Sequence, residues 1–117
     1  MAIFSKSGKA PSTNLPSYQN QEIESAYDRI IFEQVATAED VFLVELAREL
    51  KNGRPLVLNF EVLGPDESNK TVAFLSGCIY ILDGIIEKIS DKIFLFARRQ
   101  ELRDGTLQKF IDEYKEL

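Results

Sequence analysis

The run Pro-Leu-Val-Leu-Asn-Phe at residues 55–60 is the clearest indication of the fold, because it is short, almost wholly apolar and followed closely by turn residues. Such a run is typical of an interior strand that is covered on both faces. Upstream of it, Leu43, Leu46, Ala47 and Leu50 recur at i, i+3, i+4 and i+7, which places them on one face of a predicted amphipathic helix. Residues 27–35, earlier still, contain a β-branched and aromatic run that predicts another strand. Strand, helix and strand in this order predict parallel neighbours joined by a crossover.

Three further elements follow the central strand. A second helix is predicted over residues 64–82, with Pro near its first turn and acidic residues at its positive end. Two β-rich runs, at 85–89 and 92–96, predict a hairpin, and a closing amphipathic helix follows Gly105. This helix packs either on the domain or on a partner. The order β-α-β-α-β-β-α predicts an α/β (α+β) fold, a two-layer sandwich of one mixed four-stranded sheet and covering helices.

The register of the hairpin decides what its two faces carry. A two-residue loop at Ser90-Asp91 pairs Lys88 with Ile93 and leaves Lys88 on the face opposite Phe94. A three-residue loop instead pairs Lys88 with Phe94 on one face. The sequence leaves both registers open.

The second helix is more apolar than a single sheet contact requires, because a second stripe formed by Phe74, Cys78 and Ile81 lies beside the one expected to face the sheet. Gly77 interrupts this helix, where glycine costs about 1 kcal/mol relative to alanine unless it permits a close backbone approach. The second stripe indicates either a deeply buried helix or a contact with another subunit.

The N-terminal part differs in composition from the rest. Residues 10–26 are poor in charge and rich in Ser, Asn and Gln, which predicts a flexible linker. Ahead of it, in the first nine residues, Ile3 and Phe4 precede Lys6 and Lys9. This pattern predicts either a membrane-targeting tip, with the apolar pair at the acyl boundary and the lysines on anionic headgroups, or an ordinary frayed terminus.

Composition excludes several classes of function. The chain has 117 residues, of which 44% are hydrophobic, so residues 27–117 suit a single globular domain. The net charge of -5 disfavours nucleic-acid binding. Without His and with Cys78 alone, the chain cannot form a His/Cys zinc site, a Ser-His-Asp triad or an internal disulfide. The single thiol is typical of a reducing compartment, and no apolar N-terminal run has the length of a signal peptide, so we expect a cytoplasmic protein. We also expect that it is not an enzyme and uses no metal or other cofactor.

Several segments together resemble the SepF family of cell-division proteins. They are residues 55–60, the Pro-Asp-Glu at 65–67, the segment Val-Ala-Phe-Leu-Ser-Gly-Cys-Ile-Tyr at 72–80, Gly84, and the hairpin sequence at 87–95. The resemblance covers roughly residues 27–96. It implies a domain that dimerises and binds the C-terminal tail of the tubulin-like GTPase FtsZ, while the N-terminus tethers FtsZ polymers to an anionic membrane surface at the division site.

The resemblance also implies site residues. Lys88 and Phe94 match the hairpin residues that contact the FtsZ tail. The residues predicted for the dimer or assembly interface are Phe74, Gly77, Cys78, Ile79, Ile81 and Gly84. Asp83, where the family often has glycine, is a departure from the pattern.

Two other functions remain as alternatives. A small dimeric ligand-binding module would need a preformed pocket with convergent polar groups, for which Ser76, Asn59 and Tyr80 are the candidates. A cytosolic protein that bundles FtsZ polymers without touching the membrane would need no anchor at all.

Overall fold

The computed structural model describes residues 24–115. The predicted tip and the linker up to residue 23 lie outside the described residues. The elements in chain order are a 3-10 turn (Tyr27–Arg29), β1 (Ile31–Gln34), α1 (Asp40–Lys51), β2 (Leu56–Asn59), α2 (Pro65–Leu82), β3 (Gly84–Ser90), β4 (Ile93–Arg98), a second 3-10 turn (Arg99–Leu102) and α3 (Thr106–Lys115).

The four strands form one mixed sheet in the order β1-β2-β4-β3. β1 and β2 are parallel and joined through α1, whereas β4 is antiparallel to both of its neighbours. The sheet and the element order confirm the predicted fold class. The central position of β2 explains its apolar sequence, because both of its faces are covered.

Side chains of β2 alternate between two cores. Leu56 and Leu58 belong to the core under α1 and α2, which we call the helical core and which also contains Leu46 and Leu75. Val57 points the other way, into a second core beneath α3. The closing helix therefore packs on its own domain, on the sheet face opposite α1 and α2.

The first strand is shorter than predicted, since residues 27–29 form a 3-10 turn. The turn is closed by a reciprocal pair of hydrogen bonds in which the Ser25 N–H donates to Asp28 Oδ2 (3.2 Å) and the Asp28 N–H donates to Ser25 Oγ (3.1 Å). This local capping outweighs the β propensity of the first few residues. Ala26 is already buried in the core beneath α3, so the folded part begins before Tyr27.

The end of α2 approaches the sheet closely. Asp83 ends the helix in the left-handed conformation, with φ of 58°, and its carboxylate accepts a hydrogen bond from Arg99 Nε at 3.2 Å. A Cβ on the next residue, Gly84, would collide with the carbonyl oxygen of Ala97 and lie 2.9 Å from Cδ1 of Ile79. Gly84 is therefore required for packing within the chain.

Candidate functional site: a hairpin groove and a helical face

The hairpin brings Lys88 and Phe94 together on one sheet face. The two residues are direct partners, and the next pair is Ser90 with Ile93, so Ile89 is an extra residue in β3. This bulge produces the register in which Lys88 and Phe94 share a face. Phe94 also pairs with Leu58 and packs against the helical core, which shows that the shared face is that of α1 and α2.

A groove of about 320 Å³ lies between the start of α2 and the tip of the hairpin, and we call it the hairpin groove. The lining residues are Phe60, Leu63, Pro65, Ser68, Asn69, Val72, Asp91, Lys92 and Phe94. The half-buried Phe94 ring packs edge-on against Phe60, with centroids 5.9 Å apart, and lies 6.5 Å from Phe96. The groove therefore has a floor of packed aromatic rings and remains open to solvent on one side.

Charge is concentrated at the hairpin end of this groove. Lys88 is exposed, and its Nζ lies 3.9 Å from Asp91 Oδ1. An exposed pair at this distance contributes at most about 1 kcal/mol, so Lys88 can exchange Asp91 for another carboxylate at little cost. Lys92 adds a second exposed ammonium to the groove lining. The arrangement suits a peptide that combines an apolar side chain with an acidic one.

A second surface lies between the outer sides of α1 and α2. Phe74, Gly77, Cys78 and Ile81 line a shallow apolar groove of about 570 Å³ together with Ala47 of α1, and we call these five residues the helical face. Ile81 is 78% exposed and Phe74 is partly exposed. Exposed apolar residues that adjoin in this way are typical of a surface that contacts another protein.

The structure separates the six predicted interface residues into two groups. Phe74, Gly77, Cys78 and Ile81 lie together on the helical face, whereas Ile79 is 6% exposed in the helical core and Gly84 packs against β4. A Cβ on Gly77 would meet no atom within 4 Å. Nothing within residues 24–115 therefore requires glycine at this position, and the space beside it is open to a partner.

The spacing predicted that Ala47 shares one apolar stripe with Leu43, Leu46 and Leu50, and it did not predict that α1 contributes to this surface. Ala47 lines the groove, and Val41 and Val44 are exposed on the outer side of α1. The available signal was the pair Val41 and Val44, which lie outside the predicted apolar stripe, because a helix that packs only on its own sheet needs no apolar residue on its solvent side.

The thiol on the helical face is not activated. Partial burial raises the pKa of Cys78, which disfavours the thiolate. Within residues 24–115, no group of three or more His, Cys, Asp or Glu side chains is placed to hold a metal ion. In the same part of the chain, no helix combines the length and the apolar character needed to cross a membrane.

The three polar residues considered for ligand binding do not converge on one pocket, and two of them make local hydrogen bonds. The Ser76 hydroxyl donates to the Val72 carbonyl oxygen of its own helix at 2.7 Å. The Asn59 Oδ1 accepts from the Glu61 N–H at 2.8 Å, and Tyr80 is exposed on α2. Asn59 borders the sheet face under α3, whereas Ser76 and Tyr80 lie on the helix that covers the opposite face.

Comparison with known proteins gives a consistent result. The profile of the family described as "Cell division protein SepF" matches residues 30–101, which include the hairpin groove and the helical face. The chain therefore belongs to the SepF family.

Individual relatives carry the same description. The cell division protein SepF of Natranaerobius thermophilus is 36% identical over 70 residues, which are 60% of this chain and 42% of that protein. SepF of Alkaliphilus metalliredigens is 40% identical over 68 residues, which are 58% of this chain and 44% of that protein. SepF of Lactobacillus helveticus is 29% identical over 91 residues, which are 78% of this chain and 61% of that protein. The aligned part thus spans between two fifths and three fifths of these relatives, which are described as cell division proteins and not as enzymes.

Proposed function

We propose that this protein is a non-enzymatic cell-division adaptor. It binds the C-terminal tail of FtsZ in the hairpin groove, dimerises through the helical face, and tethers FtsZ polymers to the membrane while the septum assembles. The observation that carries the proposal is the pairing of Lys88 with Phe94 beside a groove with an aromatic floor, on one face of the sheet. Membership of a cell-division family supports the same role.

The groove explains how a short tail gains affinity. An extended peptide with apolar and acidic residues can place an apolar side chain against the Phe94 ring and a carboxylate beside Lys88. Because the aromatic floor is held by Phe60 and Phe96, little side-chain entropy is lost on binding. Micromolar affinity is the order expected of a site with one aromatic anchor and one charge contact.

The helical face gives the adaptor a second copy of this site. A two-fold contact would place Ile81 and Phe74 of one protomer on the same face of its partner, and the open space at Gly77 allows the two helices to approach. A dimer that holds two tails of one polymer gains avidity without any new contact. Weak single sites are therefore sufficient for a polymer that displays many tails.

The membrane contact is assigned to the N-terminal tip. Ile3 and Phe4 supply apolar side chains and Lys6 and Lys9 supply positive charge, the composition that interfacial segments use on anionic bilayers. A single tip of this length binds weakly, so dimerisation, which presents two tips, strengthens the attachment. The protein would then lie in the cytoplasm at the inner face of the membrane, at the division site.

Co-pelleting with vesicles tests the adaptor role. With vesicles containing phosphatidylglycerol, FtsZ polymers should pellet in the presence of the full chain and stay in solution without it. The Lys88→Glu variant should pellet alone but recruit no FtsZ. A chain lacking residues 1–9 should bind FtsZ but not vesicles. If that deletion leaves vesicle binding unchanged, the membrane anchor is wrongly assigned to the tip. If the protein bundles FtsZ polymers but does not bring them to vesicles, the cytosolic bundling function is favoured instead.

A further inference from the structure

A row of aromatic side chains crosses the sheet face that carries α3. The ring of Phe110 lies 5.8 Å from Tyr27, 6.0 Å from Phe32 and 5.6 Å from Tyr114, measured between centroids. We call these four residues the aromatic ridge. It joins the 3-10 turn, the edge strand β1 and α3, and it lies on the face opposite the hairpin groove and the helical face.

The ridge is only partly covered by the residues that the structure describes. Tyr27 is 47% exposed and Phe32 is 55% exposed. Cavities of about 300 Å³ and 380 Å³ flank it, the first lined by Ser25, Tyr27 and Phe110 and the second by Phe32 and Tyr114 among others. Clustered aromatic residues beside cavities of this size are typical of a surface that receives an extended peptide.

The neighbouring sheet edge offers hydrogen bonds to the same peptide. β1 is an edge strand whose one partner among the described strands is β2. The N–H groups of Ile31 and Val35 donate to Pro55 and Asn59 on the β2 side. By alternation, the backbone groups of Phe32 and Gln34 point outward, where an extended segment can pair with them.

The segment best placed to occupy the ridge belongs to the same chain. The described chain begins beside the ridge, because the Ala26 N–H donates to Asp104 Oδ2 at 2.8 Å and the Tyr27 N–H donates to Thr106 Oγ1 at 3.0 Å. Leu15, Pro16 and Tyr18 lie a few residues upstream, in a stretch without charges. Such a stretch can cover aromatic rings without desolvating a charged group, and proline favours the extended conformation that aromatic grooves bind.

We propose that Leu15-Pro16-Ser17-Tyr18 docks across the aromatic ridge of its own chain. The seven residue steps from Tyr18 to Ser25 span at most about 25 Å when extended, so the segment can reach Tyr27 and Phe32 without strain. Being tethered, it acts at an effective concentration in the millimolar range. The docked segment shortens the free tether between the tip and the domain, a consequence that rests on the proposed function.

A single fluorophore reports the docking. The chain contains no Trp, so Tyr18→Trp in the full chain introduces one indole at the docking segment. If intrinsic affinity and effective concentration are both millimolar, docked and free forms are about equally populated, and acrylamide quenching falls about twofold relative to a free peptide of residues 12–21 carrying the same Trp. Adding Phe32→Ser, at a largely exposed position, should restore the quenching of the free peptide. Tyr80→Ser, on α2, should leave it unchanged.

Three results would overturn the proposal. Quenching equal to that of the free peptide means that the segment does not dock. Protection that survives both Phe32→Ser and Tyr27→Ser means that it lies elsewhere. Protection that disappears on dilution means that the ridge binds a second copy. Changes in the NMR chemical shifts of the Phe32 and Tyr114 amides on deletion of residues 10–21 check the result without the added Trp. The measurement needs neither FtsZ nor membrane, so its failure would leave the adaptor proposal untouched.

Discussion

Lys88 stands directly opposite Phe94 across the β3–β4 hairpin, and the extra residue Ile89 sets this register. Without the bulge, the ammonium group and the aromatic ring would lie on opposite faces of the sheet, where no single peptide could contact both. The two residues should therefore act as a unit. A double-mutant cycle of Lys88→Ala and Phe94→Ala on FtsZ-tail affinity should give a coupling energy of about 0.5–1 kcal/mol. Strictly additive losses would show that the tail contacts them independently.

Gly77 and Gly84 should respond in opposite ways to the same added methyl group. Gly77→Ala should stabilise the isolated protomer by about 1 kcal/mol, because the new Cβ meets no atom and alanine favours the helix. Gly84→Ala should destabilise it, because the Cβ would collide with the Ala97 carbonyl. Urea unfolding at low protein concentration measures both. Destabilisation by Gly77→Ala would contradict the outward position of this glycine.

The helical face can be tested without disturbing the core. Ile81→Lys should leave the fold intact and convert dimers into monomers, because the residue is exposed at the proposed contact. Sedimentation velocity measures the change, and Val62→Lys, at an exposed position outside the helices, serves as the matched control. Ile79→Lys is unsuitable, since it would place a charge in the helical core and unfold the domain. Dimers that persist with Ile81→Lys would show that the interface lies elsewhere on the domain.

An ion pair between the partly exposed Arg98 and the buried Glu101 fixes the second 3-10 turn to β4. Glu101 is buried and accepts two hydrogen bonds from Arg98, from Nε at 2.9 Å and from Nη2 at 2.8 Å. This contact also raises the pKa of Arg98. Glu101→Ala should cost about 3 kcal/mol, because it leaves the guanidinium without its carboxylate partner. Chemical unfolding measures the loss, and a cost below about 1 kcal/mol would show that water replaces the carboxylate.

The attachment of α3 should weaken in acid. The pKa of Asp104 is lowered by hydrogen bonds from the backbone and hydroxyl of Thr106 and from the Ala26 N–H. Since the folded pKa lies below the unfolded one, the stabilisation is complete above the ordinary pKa of an aspartate and is lost as the pH falls through the lowered value. Asp104→Asn should remove this part of the pH dependence. Thermal unfolding across this acid range measures it, and identical pH profiles for the two proteins would contradict the assignment.

The sequence predicts the framework well because local patterns determine it. Residues 55–60 identified the central strand, and the long apolar helix ends at Leu82 as predicted. The hairpin register could not be chosen, because the bulge at Ile89 depends on packing in the core beneath α3. The position of α3 was also left open, because an amphipathic pattern shows that one face of a helix is buried but not what buries it.

The candidate site was predicted in part. Sequence resemblance supplied Lys88 and Phe94, but the groove beside them also requires residues from the start of α2, such as Asn69, which carry no distinctive pattern. Helical spacing alone did not exclude Ile79 from the interface, because one turn of α2 contributes residues to both the core and the helical face. Only the position of the sheet distinguishes the two.

The most direct test of the central claim is a fluorescence-anisotropy titration of the FtsZ C-terminal peptide, taken from the organism that carries this gene, with the full chain. Binding should be saturable at micromolar concentration, and Lys88→Glu and Phe94→Ala should each weaken it about tenfold or more, a loss of at least about 1.4 kcal/mol. Val62→Lys should bind normally, and circular dichroism should show that all variants are folded. No binding at high concentration, or binding that neither hairpin variant changes, would contradict the account.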